Sequence, residues 1–320
     1  MKKRGYINLL FAVIGLVIIY CAYEMLNPGK EVHYYSVSVI LDDSSSERWN
    51  AFKEGLNQGA SEYRIHLNVV SAGKNLSLEE EYAIIKRELD SGAQGLILEP
   101  WGDDEDGSMA GILSGCPTVL VESGVSSMGD FVTVSPDNYE MGRALAQSVL
   151  ADTENPSGMT VGILSGNQNQ LSMKQRLAGF KEALEEAGAQ ISWELPGNLA
   201  GMMARPENYV QQHPADVVAA LSNDETERAV DILLADSQTS FALYGVGRSE
   251  KTVYYLDKGL IRELVVPNEY YMGYQSVALL AQTMEYHTTE TGQYETEFLT
   301  VNRENLYEEE NSRILFPTVR

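Results

Sequence analysis

From Val37 to Tyr63 the chain reads VSVILDDSSSERWNAFKEGLNQGASEY: an apolar run, a polar break, then apolar positions at helical spacing. The plan recurs from Val161 to Gly188 as VGILSGNQNQLSMKQRLAGFKEALEEAG. In this second unit Leu177, Phe180, Leu184 and Ala187 share one helix face, while Lys181, Glu182, Glu185 and Glu186 take the other. Gly188 is placed to end the helix. The segment Ala51–Leu56 (AFKEGL) echoes Gly179–Leu184 (GFKEAL). Two strand–polar loop–helix units, each followed by further β/α alternation, predict two lobes of similar design.

In the first half the pattern predicts strands near 36–41, 65–70, 94–98, 118–121 and 131–134, with helices near 47–63, 77–90, 107–113 and 138–150. In the second half it predicts strands at 160–164, 190–195, 216–222, 241–246 and 262–266. Helices follow Ser165–Leu171 and Asn223 and cover 250–258 and 270–286, and the tail from Glu295 adds short strands. Strands separated by helices over this length imply an α/β fold: doubly wound parallel sheets with helices on both faces. Ligands of such sheets bind beyond the carboxyl ends of the strands. That rule selects the polar loops after Leu41, Leu98, Val121, Leu164, Ser222, Val246 and Val266.

The N-terminus breaks the alternation. Lys2, Lys3 and Arg4 precede nineteen uncharged residues, Gly5 to Tyr23. As one helix these would span about 28 Å, close to the hydrocarbon thickness of a bilayer. The expectation is an uncleaved single-pass anchor over 5–23 that leaves the rest of the chain outside the cytoplasm, with a cleaved signal peptide as the rival reading. Residues 24–34 read as a tether. The remaining body is acidic: the net charge is −23 although every charge before Glu24 is positive. With no run of Lys or Arg to track phosphates, nucleic-acid binding is not expected.

Catalytic and metal motifs are scarce. Gly162–Gly166 places its serine one position late for a nucleophile elbow, and Gly245-Val246-Gly247 lacks the third glycine of a dinucleotide fingerprint. Asp103–Gly107 resembles part of a calcium loop, but Gly102 and Leu113 stand where ligands are required. Cys21 and Cys116 have no metal-ligand or redox spacing, and the four histidines are scattered. No cofactor or metal is implied.

The selected loops carry other chemistry. Trp49 lies one turn beyond the Ser44–Ser46 cluster, which includes Ser45, and Trp101 follows a strand end beside Asp103. A flat ring among hydrogen-bonding side chains suits the two faces of a sugar, with core packing as each ring's competing reading. Glu122, Lys174, Asn223, Asp224, Arg248 and Asn268 supply donors and acceptors at other strand ends.

Four motifs in order, Ala51-Phe52-Lys53-Glu54-Gly55, Ser135-Pro136-Asp137-Asn138 with Gly142, Lys174–Phe180 and Leu221–Glu225, make residues 35–299 resemble the type 1 periplasmic binding proteins. The likeness is to the sugar-binding group that includes ribose-binding protein and the effector domains of lactose-repressor-like regulators. The resemblance implies two lobes, 35–135 with 268–293 and 136–267 with 294–320. Hinge crossings would fall near Ser135–Asp137, Pro267 and Gly292–Tyr294. It implies sugar stacking at Trp49 beside Arg48, an acidic contact at Glu122, a basic one at Lys174 and an amide at Asn223. The family's arginine, aspartate and hinge glutamine are replaced by Ser123, Gly247 and Pro267. Together with the apolar N-terminus, the resemblance implies a membrane-tethered, non-enzymatic receptor. It would close around a small sugar-like ligand and present the closed form to a transporter permease or sensor histidine kinase. Two alternatives stand beside it: a ligand-free interaction module of the same fold, and a hydrolase on a related scaffold.

Overall fold

The computed structural model describes residues 13–23, 34–73, 77–127, 131–197, 206–236, 238–286 and 291–316. Residues 13–23 form a helix and are a unit separate from Ser36–Arg320. The expectation of a membrane anchor is corrected only as far as the description reaches: the described part of this helix, residues 13–23, rises about 16 Å. Among the described residues no helix is long and apolar enough to cross a membrane. Residues 5–12 of the expected anchor and 24–33 of the expected tether lie outside the described residues.

In the body, the strands in chain order are β1 (Tyr35–Leu41), β2 (Ile65–Ser71), β3 (Gly95–Leu98), β4 (Thr118–Val121), β5 (Val132–Pro136), β6 (Thr160–Leu164), β7 (Gln190–Leu195), β8 (Val217–Ala220), β9 (Ala242–Val246), β10 (Ile261–Pro267), β11 (Gly292–Thr296) and β12 (Phe298–Asn302). The helices are α1 (Asn50–Tyr63), α2 (Leu78–Asp90), α3 (Ser108–Leu113), α4 (Asn138–Ala151), α5 (Leu171–Glu186), α6 (Pro206–Gln212), α7 (Asn223–Ala235), α8 (Glu250–Asp257), α9 (Glu269–Tyr286) and α10 (Glu309–Leu315). Neither α6 nor α10 is among the expected helices; the expectation for the tail from Glu295 is short strands.

Two six-stranded sheets repeat one order. The first runs β2-β1-β3-β4-β5-β11 and the second β7-β6-β8-β9-β10-β12. In the second, β12 alone runs antiparallel to its neighbour. Strands β3 and β8 are buried at every position, as their unbroken apolar runs require, and so is β4, which opens on Thr118. Helix starts obey local chemistry. Ser77 and Glu80 form a reciprocal capping box on α2, Asp137 caps α4 and Ser222 caps α7.

Each lobe seals one sheet face with a pair of closely crossing helices. A β-carbon on Gly55 of α1 would overlap the Tyr270 carbonyl of α9, and one on Gly142 of α4 would overlap the Arg176 carbonyl of α5. Ile40, Leu96, Leu98 and Leu120 fill the first core. Val161, Ile163, Phe180 and Leu184 lie on one face of the second sheet, and Leu164, Trp193, Leu243 and Leu264 on the other. The chain changes sheets at Pro136–Asp137, Pro267–Asn268 and Glu297. The last crossing falls a few residues beyond Gly292–Tyr294, because β11 stays paired with β5 as far as Thr296.

Candidate functional site

The carboxyl ends of both sheets face one cleft, and within it lies a cavity of ≈ 210 Å³ lined from both lobes. The first lobe contributes Asp42 after β1, Glu99 and Trp101 after β3, Glu122 after β4, and Arg48 and Glu269 from the starts of helices. The second contributes Asn167, Gln170 and Arg176 from the β6–α5 unit and Asn223, Asp224 and Glu225 from the start of α7.

Arg48 is the hub of the first wall. Its Nη2 lies 2.6 Å from Glu99 Oε1 and 3.3 Å from Asp42 Oδ2. Its guanidinium stacks 4.0 Å above the Trp49 ring. Trp49 itself is buried, packs edge-on against Phe52 and donates its indole N–H to Asp42 at 2.9 Å. It is therefore a core residue that holds Asp42 and Arg48 in place, not the stacking platform that the resemblance implied. Burial opposes the Arg48 charge, but Asp42, Glu99, Asp224 and Glu122 hold its pKa well above the usual arginine value. Burial, reinforced by Asp42 and Glu122, pushes Glu99 up to about 8 despite Arg48. Asp42 resists the same burial and is held below the usual aspartate value by Arg48 and the Trp49 N–H.

Glu122 and Arg176 meet across the cleft. Arg176 Nη2 donates to Glu122 Oε1 at 2.9 Å and to Asn138 Oδ1, while Nη1 donates to the Leu221 carbonyl at 2.7 Å. Burial lowers the Arg176 pKa, and the Glu122 carboxylate opposes that loss. Glu122 has φ 62, one of two non-glycine residues among those described in the left-handed region. Holding a residue with a β-carbon there costs roughly 1–2 kcal/mol, a strain found where a side chain must be aimed.

Of the expected positions, Arg48, Trp101, Glu122, Asn223 and Asp224 line the cavity. Asn223 spends its amide on structure: Oδ1 accepts the Arg248 and Ser249 N–H groups at 3.2 and 3.1 Å, and Nδ2 donates to Glu227 at 2.8 Å. The others lie apart from the cavity. Ser45 is exposed and bonds Asp43. Lys174 pairs with Asp103 at 3.2 Å across the rim. Arg248 reaches Glu269 at 3.4 Å and the Leu315 carbonyl at 2.7 Å from behind the wall. Asn268 caps α9 through Tyr271 N–H and donates to Glu297 at 2.8 Å, so it serves the hinge.

Sequence reasoning passed over Asp42, Glu99, Gln170, Arg176, Glu225 and Glu269. Arg176 carried a signal: it falls four residues before Phe180 and seven before Ala183, on the buried face of α5, where an arginine needs a specific partner. The rim is also tied across the lobes. Asn167 Nδ2 donates to the Trp101 carbonyl and Gln170 Nε2 to the Pro100 carbonyl, both at 2.9 Å. The Asp103 N–H donates to the Asn169 carbonyl at 2.8 Å. Beneath this loop the buried Glu81 accepts the Trp101 N–H at 2.9 Å, and burial pushes its carboxyl up to about 7.

Residues 37–287 match the model of a family described as periplasmic binding protein domain. No protein with a curated description matches the chain. Solved structures share the fold at low identity. A carbohydrate transporter solute-binding protein from Agrobacterium radiobacter, in complex with D-arabinose, superposes with TM-score 0.79 at 16% identity, covering 89% of this chain and 100% of that one. An ABC transporter solute-binding protein from Agrobacterium vitis with bound D-fucose gives 0.78 at 13%, covering 88% and 100%. A chain of the XylFII–LytSN complex gives 0.72 at 14%, covering 85% and 99%.

Proposed function

The chain belongs to the periplasmic binding protein domain family, and on that premise we propose that it is a solute-binding receptor that closes its two lobes around one small polar ligand, a sugar or sugar derivative. The observation that carries this reading is the cavity of ≈ 210 Å³ at the strand ends, walled by side chains of both lobes. That volume equals about seven waters of liquid, the scale of one monosaccharide. Arg48, Glu99, Glu122 and Arg176 supply charged donors and acceptors for hydroxyl groups, and Trp101 supplies a ring for an apolar sugar face. A ligand that touches both walls at once binds only the closed form, and so shifts the population toward it. The ligand leaves unchanged.

The closed surface is then available to a transporter permease or a sensor histidine kinase; the Agrobacterium radiobacter protein is described as a carbohydrate transporter solute-binding protein, and XylFII is found in complex with LytSN. Thermal denaturation of the full chain against pentoses, hexoses, polyols and sugar derivatives tests the reading. A ligand at 100 times its Kd stabilises by about 2.7 kcal/mol. A selective rise in Tm, with the compound recovered intact, is the predicted result. Consumption of the compound, or no rise with any member of the panel, contradicts it.

A further inference from the structure

Building on the two-lobed receptor reading, we propose that Asn167, Gln170 and Ser123 are positioning residues that act on closure rather than on the ligand. They latch the β6–α5 corner of the second lobe onto the first, so that part of the closure free energy is the same whatever ligand is bound. The bonds of this latch run from protein to protein. Asn167 Nδ2 donates to the Trp101 carbonyl and Gln170 Nε2 to the Pro100 carbonyl, both at 2.9 Å. Both side chains line the cavity, yet their amide nitrogens are engaged by the backbone of the first lobe. The Asp103 N–H donates in the reverse direction, to the Asn169 carbonyl at 2.8 Å. Lys174 adds an ion pair with Asp103 at the rim.

The start of α5 carries the inference furthest. The first N–H groups of a helix have no partner within it. Helices α2, α4 and α7 are capped by Ser77, Asp137 and Ser222, each from the same lobe as its helix. The residue before α5, Gln170, gives no such cap, and its amide reaches Pro100 instead. The Ser172 N–H donates at 3.2 Å to Ser123 Oγ, a buried side chain of the first lobe. One lobe therefore completes the helix start of the other. Both matching faces are also braced within their own lobes. In the first, the buried Glu81 accepts the Trp101 N–H, and Asp104 accepts the Tyr82 and Ser127 hydroxyls at 3.0 and 2.8 Å. In the second, Asn167 Oδ1 accepts the Asn169 N–H at 3.1 Å and its carbonyl accepts the Gln170 N–H at 3.0 Å. Preformed faces join with little ordering cost. Each hydrogen bond between them then favours the closed form by about fivefold.

Two measurements on the full chain test this. Single-molecule energy transfer between dyes on the exposed positions Lys86 and Glu185 reads the closed and open populations with no sugar added. Stopped-flow transfer measurements read the association and dissociation rates of D-arabinose, D-ribose, D-galactose and D-glucose. Ser123→Ala is the cleaner variant, because Ser123 is buried beside Glu122 and outside the residues that line the cavity. Gln170→Met tests the same latch from the second lobe. The unmodified chain should hold a closed population before any sugar is added, and each variant should lower its closed-to-open ratio about fivefold. Each variant should also speed the dissociation of every sugar that binds by that same factor, without slowing association. A single open population in the unmodified chain, or variants that leave the ratio unchanged, overturns the latch and leaves the receptor reading intact. An effect of Gln170→Met that differs from sugar to sugar marks a direct ligand contact and also overturns it. Silence from all four sugars counts against the receptor reading, and the populations without sugar then decide the latch alone.

Discussion

Replacing Arg176 by Met keeps most of the side-chain length and removes the charge. The change strands the Glu122 carboxylate, the Asn138 side-chain oxygen and the Leu221 carbonyl, all of which Arg176 satisfies in a buried position. Breaking one side of a buried ion pair costs about 3–5 kcal/mol, most of it from the charge left behind. At about 2 °C per kcal/mol for a chain of this size, Tm should fall by about 6–10 °C. Urea denaturation of the single and double variants separates the causes. Arg176→Met with Glu122→Gln removes the stranded charge and should recover about 1–3 kcal/mol relative to Arg176→Met alone. The reasoning is refuted if Arg176→Met costs under about 1 kcal/mol, or if the double variant is as unstable as the two single effects added together.

The two cleft tryptophans should separate cleanly: Trp49→Ala costs about 3–5 kcal/mol of stability through the core, whereas Trp101→Ala leaves denaturation nearly unchanged and weakens ligand affinity about tenfold by calorimetry. Gly142→Ala pushes a methyl group into the backbone of α5, and the melting curve should record a loss of at least about 1–3 kcal/mol from overpacking. Stability should also depend on pH with a definite sign. Burial raises Glu81 to about 7, Glu269 to about 7 and Glu99 to about 8, from 4.5. Their stabilisation is therefore complete below about 4.5 and is lost as pH rises through 7–8, while Asp42, held low by Arg48 against burial, acts in the opposite sense in acid. Denaturant midpoints should peak in mild acid and fall toward pH 8, and Glu81→Gln should flatten that fall. A midpoint that rises from pH 6 to pH 8 contradicts the assignment.

Much of the architecture was legible because each element obeyed its own local rule. Gly95–Leu98 and Val217–Ala220 are apolar throughout because both faces of their sheets are covered. Ser77 followed by Glu80 marks a helix start without tertiary help. The repeat from Val37 and from Val161 corresponds to two sheets with the same strand order. The site was legible only as a set of loops. Strand-end geometry chose the segments after Leu41 and Leu98, but not which side chain turns inward. Trp49 packs down and Asp42 lines the cavity, because the indole N–H reaches that carboxylate. Lys174 and Arg176 lie two residues apart on a helix and so point in different directions, one to the rim and one to the core.

The measurement that bears most directly on a two-lobed receptor is the distance between its lobes. Donor and acceptor dyes on the exposed positions Lys86 of α2 and Glu185 of α5 report it in the full chain. Saturation with the tightest-binding sugar of the panel should shift the transfer efficiency to a single new value, with a midpoint equal to the calorimetric Kd, and Arg48→Ala should abolish the shift. An efficiency that stays constant while ligand binds contradicts closure around the ligand.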